Sequence, residues 1–344
     1  MAGERNYSPY VIIGKLTRDF ILTPEGDAVS DIPGGHLLYT AIGMSPWEKH
    51  PGLVSKVGKS YPEEFLELLK KNEFSLYGIK RLDFEIEQRN FISYFESEST
   101  KKNQDNKSLL SQYFHAGKPF PKELLGYNNF TVSNPITAKT HETFLVRDIP
   151  REYLEARCVH LCPMDYLSHN LLPQAFPGLE RRTITIHASN LYMQPHFYDP
   201  VKTLVNGLSG FFTREKQLKS LFYEKYRFKD ISDMMKILLD YGSENIIVKM
   251  DDLSYKFINR FERKIFHLDP GSDRKREVLG SYSSFCGGFI IGLNTTYDYK
   301  KAAAYGAARE SLMRNEWKPY NNLNVYEDLL NEKVRIMESK ITAE

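Results

Sequence analysis

Cysteine is scarce in this chain, and its few thiols exclude a disulfide scaffold. Three cysteines occur in 344 residues, an odd number that is too small to staple a chain of this size. Proteins with so few thiols are typical of reducing compartments. We therefore expect a cytoplasmic protein.

Long apolar runs and an excess of one charge are also missing. Nowhere do about 18 consecutive apolar residues occur, and the first ten residues carry charge in place of the apolar centre of a secretory signal. The 46 Lys and Arg nearly balance the 44 Asp and Glu, for a formal net charge of +2. No strong field therefore favours nucleic acid or an anionic membrane, and we expect neither as a partner.

The remaining composition, 41% hydrophobic and 26% charged, is that of a globular chain with a large core. Apolar runs predict strands at 10–14, 52–58, 158–161, 183–187 and 245–249, and a hairpin at 254–268. Helical periodicity lies between them, at 36–41, 62–71, 149–156, from 167, and at 201–207, 214–222, 231–241 and 284 onward. This alternation predicts one α/β domain, 1–344, with a mainly parallel central sheet flanked by helices.

Two further segments, 77–82 and 89–95, have the pattern of short strands and predict a small separate sheet. The residues that follow, 97–117, begin with a run of Ser, Lys, Asn, Asp and Gln that has little to bury. We interpret 97–117 as a polar insertion.

Four motifs follow one another in order along the chain. They are Val-Ile-Ile-Gly-Lys-Leu-Thr-Arg-Asp at 11–19, Pro-Gly-Gly-His-Leu-Leu-Tyr-Thr-Ala at 33–41, Leu-Val-Ser-Lys-Val-Gly at 53–58, and a stretch from Ser283 to Gly292 followed by a small-residue helix at 302–308. In this order they resemble the ribokinase-like (PfkB-type) carbohydrate kinases.

The resemblance implies a small β lid over the sheet, contributed by 16–33 and 77–96. It also implies a substrate site for a sugar or nucleoside hydroxyl. The residues that match this site are Asp19, Gly34, Gly35, His36 and Tyr39. His36 could equally be a satisfied or exposed histidine without a ligand.

The matching catalytic stretch departs from the family pattern. In the family a helix N-terminus holds the transferred phosphoryl group and an Asp removes the proton of the substrate hydroxyl. Here the stretch reads Glu-Val-Leu-Gly-Ser-Tyr-Ser at 277–283, so Ser283 stands at the position of the base, and the anion-binding positions are Gly280, Ser281 and Tyr282. A serine is a poor general base, and loss of a positioned base typically costs about 10²–10⁴ in rate.

The nucleotide and metal positions are altered as well. The family's Asn-x-x-Glu segment, which organises magnesium, aligns with 213–216, so that Thr213 and Lys216 replace its ends. The family's Gly-x-x-Gly turn aligns with 251–254, from Asp251 to Ser254, where added carboxylates would repel ATP phosphates.

The sequence therefore favours a protein that binds a sugar or nucleoside but has lost phosphoryl transfer, acting as a sensor, regulator or partner subunit. One alternative is an active kinase that uses ATP and Mg²⁺ with a displaced base, Glu277 or Asp273. Another is a structural subunit without a small ligand, a homodimer or part of a heteromer.

A metal site is not predicted. Cys158, His160 and Cys162 alternate along a predicted strand, so their side chains share one buried face, and no fourth ligand is evident. We interpret them as core residues. Ser283 and Ser284 at a helix start are interpreted as capping residues.

Overall fold

The structure, a computed structural model, describes residues 7–95, 108–127, 139–176, 178, 182–224, 230–271, 277–313 and 317–344. Of the predicted polar insertion, residues 97–107 lie outside these ranges, and 108–117 contain a short helix. Asp273 also lies outside them.

Strands and helices alternate through most of the described chain. Its strands are β1 (Tyr10–Ile13), β2 (Thr17–Leu22), β3 (Ala28–Gly34), β4 (Gly52–Val57), β5 (Ile79–Arg81), β6 (Arg89–Ser93), β7 (Cys158–Leu161), β8 (Thr183–His187), β9 (Gly210–Arg214), β10 (Asn245–Lys249), β11 (Tyr255–Asn259), β12 (Ile265–Leu268) and β13 (Ile341–Ala343). Its α-helices are α1 (His36–Met44), α2 (Glu63–Lys71), α3 (Leu109–His115), α4 (Tyr166–Leu171), α5 (Tyr198–Val205), α6 (Glu215–Phe222), α7 (Ile231–Asp240), α8 (Ser281–Thr296), α9 (Tyr299–Leu312) and α10 (Glu327–Ser339).

A large sheet forms the centre of the fold, with the strand order β13-β12-β11-β10-β9-β8-β7-β1-β4-β5. The strands from β10 to β5 are parallel, and β11, β12 and β13 extend the sheet as antiparallel strands. Every residue of β4 and of β10 is buried, as expected for parallel strands covered on both faces. The predicted α/β fold is confirmed.

Alternation along each strand divides the core between the two faces of this sheet. In β10, Ile246 and Val248 pack into one core cluster, and Ile247 packs into another on the opposite side. The first cluster includes residues of α5, α6 and α7, and the clusters on the other face include residues of α1, α8 and α9. The site described below lies on the second face, where α1 and α8 begin.

A second, small sheet has the order β3-β2-β6. On one of its faces Phe20, Leu22 and Phe91 pack against Tyr113 of α3, which gives this sheet a core of its own. Asp19 and Asn90 are paired across β2 and β6, and alternation places them on the opposite face. The carboxylate and the amide are thus carried on the face away from this core.

The predicted lid strand at 77–82 does not join this small sheet. Ile79–Arg81 pairs in parallel with residues 55–57 of β4 and forms an edge of the large sheet. The hydrogen bond from Ser55 N to Gly78 O begins this pairing, and the chain reaches the small sheet only at β6. A local strand pattern does not specify which sheet a strand joins, because pairing depends on residues distant in sequence.

Helices α1 and α8 approach each other almost backbone to backbone. A Cβ atom on Gly43 would lie 2.4 Å from the carbonyl oxygen of Ser284, closer than any real contact. Glycine at this position therefore lets the last turn of α1 lie directly against the first turn of α8. The start of α1 also reaches the start of α8, where His36 contacts Ser283.

Candidate ligand cleft and catalytic position

The predicted site residues come together where β2, β3, α1 and α8 meet. The Tyr39 hydroxyl donates a hydrogen bond to Asp19 Oδ2 at 2.9 Å, and the Tyr39 ring packs against Gly280, the N-cap of α8. His36 Nδ1 lies 2.7 Å from Ser283 Oγ. Residues from both ends of the chain thus form one site.

Asp19 is fully enclosed and all its acceptor positions are used. Its carboxylate accepts hydrogen bonds from Thr17 Oγ1 (2.6 Å), Asn90 Nδ2 (3.1 Å), the Tyr39 hydroxyl and the backbone of Gly35, and the side chain is 0% exposed. Burial raises the pKa of Asp19, although each of these hydrogen bonds lowers it. In this state Asp19 orders the walls of the site and has no free oxygen for a ligand.

Asp19 is also not part of a surface ion pair with its basic neighbours. Arg18 binds Asp31 through two hydrogen bonds, and Lys15 pairs with Glu142. Asp19 is therefore a buried residue of the site and not a surface charge paired with Arg18 or Lys15.

Gly34 leaves space for the Asp19 carboxylate, and Gly35 adopts a backbone conformation that favours glycine. A Cβ atom on Gly34 would lie 1.8 Å from Asp19 Oδ2. Gly35, the N-cap of α1, has φ 105°, a backbone conformation that other residues rarely adopt. The paired glycines thus fit Asp19 beneath the start of α1.

The position of the catalytic base holds a neutral pair. Ser283 is 1% exposed and is covered by the His36 ring, which itself is exposed to solvent. The protein around the ring desolvates it, and together with the positive charge of Arg214 this lowers the pKa of His36 to about 4. At neutral pH the His36–Ser283 pair is therefore uncharged. Among the described residues, no carboxylate is hydrogen-bonded to Ser283 in place of a base.

Tyr282 lies where the family has glycine, and its ring points into the large sheet. The ring is 1% exposed, and its hydroxyl donates to the carbonyl oxygens of Thr213 (2.8 Å) and Ile247 (3.4 Å). It thereby links the first turn of α8 to β9 and β10, and the ring packs in the core against His187 and Phe285. The side chain therefore belongs to the core beneath the start of α8.

Arg214 and Glu277 form a two-pronged ion pair. The Nη1–Oε2 and Nη2–Oε1 distances are 2.5 Å and 3.0 Å, and the guanidinium carbon lies 5.0 Å from the Tyr282 ring centre. Burial raises the pKa of Glu277, but Arg214 lowers it below the ordinary value. Glu277 is therefore an ionised and occupied carboxylate, poorly placed to serve as a displaced base.

Thr213 and Lys216, which align with the family's magnesium segment, lie in different settings, because Thr213 is buried and Lys216 faces solvent. The Lys216 side chain is 82% exposed and lies 4.0 Å from Asp251. Gln217, which the sequence analysis missed, is buried; its Oε1 accepts from Thr213 Oγ1 (3.0 Å) and its Nε2 donates to Asn190 Oδ1 (2.8 Å). Its place at the start of a helix could have identified Gln217 from the sequence. It is the third residue of α6, and its Oε1 accepts a hydrogen bond from the backbone N–H of Arg214.

The remaining nucleotide-side residues form a turn stabilised by its own carboxylate. Ser254 donates its hydroxyl and its backbone N–H to Asp252 Oδ1, at 2.6 Å and 2.9 Å. The backbone N–H of Asp251 donates to Glu215 Oε2 at 2.9 Å. The two aspartates at 251–252 thus remain side by side after β10.

Three buried histidines near the site predict a loss of stability in mild acid. Burial lowers the pKa of His160 to about 3, of His169 to about 4, and of His187 well below the ordinary value. Below about pH 6.5 the unfolded chain protonates these rings and the folded chain does not, so the free energy of unfolding falls as pH falls. Asp19 has the opposite effect on stability, because its raised pKa lets the folded chain bind up to one proton more than the unfolded chain.

We expect a loss of about 2 kcal/mol between pH 6.5 and 5.5, measured by urea unfolding of the metal-free protein. His169→Gln should reduce the slope of the free energy of unfolding against pH by the equivalent of about one proton. His50→Gln, at an exposed histidine, should leave this slope unchanged. A flat profile for the wild-type protein would contradict the assignment of neutral buried rings.

The comparisons with known proteins agree with this architecture. No protein-family model matches the chain. A cytidine kinase of Thermococcus kodakarensis is 19% identical over 309 residues, which cover 89% of this chain and 96% of that protein.

Among solved structures, a ribokinase from Thermotoga maritima matches with a TM-score of 0.60 and 15% identity over 95% of this chain and 99% of that one. The aminoimidazole riboside kinase of Salmonella enterica matches with a TM-score of 0.62 and 12% identity over 94% of this chain and 99% of that one. The chain therefore has the ribokinase-like α/β fold that its ordered motifs predict.

Proposed function

We propose that this protein binds a sugar- or nucleoside-type ligand in the cleft between its two sheets and does not transfer a phosphoryl group. The observation that carries the proposal is the Ser283–His36 pair at the position of the family's base. A ligand hydroxyl entering this cleft meets a neutral imidazole in place of a carboxylate.

The geometry at this position supports the loss of transfer. Ser283 lies behind His36, so a ligand hydroxyl cannot reach it without displacing the ring. His36, with a pKa lowered to about 4, is a weak base. Both features act against removal of a hydroxyl proton.

The nucleotide side supports the same conclusion. Tyr282 replaces the family's glycine in the first turn of α8, and its hydroxyl is hydrogen-bonded to carbonyl oxygens of β9 and β10. Asp251 and Asp252 add negative charge to the turn after β10, which disfavours a polyphosphate. Each change weakens ATP binding independently of the lost base.

The cleft nevertheless retains groups suited to a hydroxyl-rich ligand. Asn90 is half-buried on the small sheet, His36 is exposed at the start of α1, and Arg214 keeps a third of its side chain exposed. Together they offer amide, imidazole and guanidinium hydrogen bonds. The cytidine and riboside kinases among the relatives make nucleosides the first compounds to test.

The test of lost transfer is a product assay with ATP and Mg²⁺ against ribose, fructose, adenosine, cytidine and aminoimidazole riboside. We expect no phosphorylated product above a heat-inactivated control. Product formation with any of these compounds would overturn this part of the proposal and favour the active-kinase alternative.

Binding is tested separately by calorimetry with the same compounds. We expect one of them to bind, and Asn90→Ala to weaken it about tenfold through loss of one hydrogen bond. Asn72→Ala is the matched control, because that half-buried amide only caps α2.

Equal affinity of the wild type and Asn90→Ala for the compound would show that it does not bind in this cleft. If none of the compounds binds, the result favours a structural subunit. Asp19→Ala is unsuited to this test, because it would leave the Tyr39 hydroxyl and Asn90 amide without their acceptor.

A further inference from the structure

A cluster of three buried metal-binding side chains lies behind the His36–Ser283 pair. His160 of β7, His187 at the end of β8 and Cys286 of α8 each place a ligand atom within 4.8 Å of the others. Their side chains are 0%, 2% and 0% exposed. None of them belongs to the ligand cleft or the catalytic position, so the cluster needs its own explanation.

His160 has an unused nitrogen in this buried setting. Its Nδ1 lies 2.8 Å from Thr185 Oγ1, but its Nε2 has no hydrogen-bond partner in the described residues. His169, equally buried, uses both nitrogens, with the Tyr192 hydroxyl and the carbonyl oxygen of Cys162 each at 2.8 Å. An unpartnered buried nitrogen is costly, and His160 therefore differs from a histidine that simply packs in the core.

The surroundings of the cluster resemble those of a metal ligand set. Metal-binding histidines usually fix one ring nitrogen through an outer hydrogen bond so that the other faces the ion, as Thr185 does for His160. His187 Nδ1 and Cys286 Sγ lie 3.9 Å apart. Ligand bonds of about 2.0 Å to nitrogen and 2.3 Å to sulfur would span nearly this distance.

We propose that His160, His187 and Cys286 bind a single Cu(I) ion in three-coordinate geometry. Thiolate and imidazole ligands suit soft ions such as Cu(I) and Zn²⁺, and net charge decides between them. One thiolate neutralises Cu(I), whereas Zn²⁺ would leave a positive charge in a site without solvent.

Two observations strengthen the choice of a monovalent ion. Arg214 already places positive charge near the cluster, because its guanidinium carbon lies 5.0 Å from the centre of the Tyr282 ring, which in turn lies 4.7 Å from the centre of the His187 ring. A divalent ion would add to this positive charge. All three ligands are buried, so water could not hydrate the ion.

Binding requires the Cys286 thiol to release its proton to solvent, so that one S–H bond is replaced by one Cu–S bond without change of oxidation state. The ion would enter past the exposed His36 ring, whose centre lies 5.5 Å from that of His187.

The experiment is an anaerobic titration of the reduced full-length protein with Cu(I), in competition with a coloured Cu(I) chelator. We expect one ion per chain, and X-ray absorption with one sulfur and two nitrogen ligands. Cys286→Ser removes a metal ligand and should weaken binding by at least about 100-fold. This is the largest effect expected from losing only a hydrogen-bond partner of a ligand. Thr185→Val, which removes only the hydrogen bond to His160, should weaken it about 10–100-fold.

Cys158→Ser is the matched control, because Cys158 is a buried thiol on the same strand as His160 but is contacted by Asn294. It should bind like the wild type, and thermal unfolding should show that all variants are folded. Unchanged binding by Cys286→Ser would overturn the site. Retention of Zn²⁺ at one ion per chain with failure to hold Cu(I) would overturn the choice of metal.

Discussion

Ser283→Asp alone should leave phosphoryl transfer undetectable. The substitution restores a carboxylate at the base position, and at the third residue of α8 such a charge is favourable to the helix, so the variant should fold. Under the proposed function the other obstacles remain, because Tyr282 still replaces glycine in the first turn of α8, and Asp251 and Asp252 still add negative charge to the turn after β10. A base worth about 10²–10⁴ in rate cannot act where the phosphoryl donor does not bind.

The variant has a second readout that does not depend on turnover. The new carboxylate would lie next to His36 and should raise the pKa of that ring above its present value of about 4, as followed by NMR titration. A raised pKa without product would show that the side chain is in place and that other changes block transfer. Robust turnover by this single variant would reduce the loss of activity to one missing base.

Glu310→Ala should lower the free energy of unfolding by about 3–5 kcal/mol, because it removes the carboxylate that contacts a buried ammonium. Glu310 pairs with Lys249 at the end of β10, with Nζ–Oε1 at 2.8 Å and both side chains at most 2% exposed. It also accepts the Tyr255 hydroxyl at 2.5 Å. Lys249 would keep its hydrogen bonds to the Leu253 carbonyl oxygen and the Tyr255 hydroxyl, and the charges of Asp252 and Glu277 also act on it, but the carboxylate in direct contact would be lost.

Two controls separate this effect from loss of packing. The double variant Lys249→Met/Glu310→Gln removes both charges and keeps an acceptor for Tyr255, so it should recover most of the loss. Asp240→Ala breaks a pair with Arg263 in which both side chains are about half exposed, and should cost less than about 1 kcal/mol. Equal losses for the single and double variants, measured by urea unfolding, would contradict the charge argument.

The central parallel strands could be predicted from sequence because each is a short apolar run with clear ends. β7, β8 and β10 have the predicted bounds. β9 was missed, because its Gly-Phe-Phe-Thr-Arg run passes directly into α6 and has no break to mark it. β13 is three residues long and forms only by pairing with β12.

The site could be predicted as a place but not as a set of contacts. Gly35 and Ser283 lie at helix starts beside the large sheet, as expected for an α/β fold, but Asp19 reaches them from within β2 of the small sheet. The His36–Ser283 hydrogen bond joins residues 247 positions apart, and no local pattern reports it. The enclosure of Asp19 likewise depends on Tyr39 and Asn90, which come from different elements.

The close approach of α1 and α8 at Gly43 also determines what can move when a ligand arrives. β3 runs into α1 through Gly35, and α1 rests on the backbone of α8 at Ser284. His36 and Ser283 are therefore carried by one rigid pair of helices. If the small sheet closed over a ligand, the chain would have to bend before His36, and the sheet would move toward a stationary imidazole.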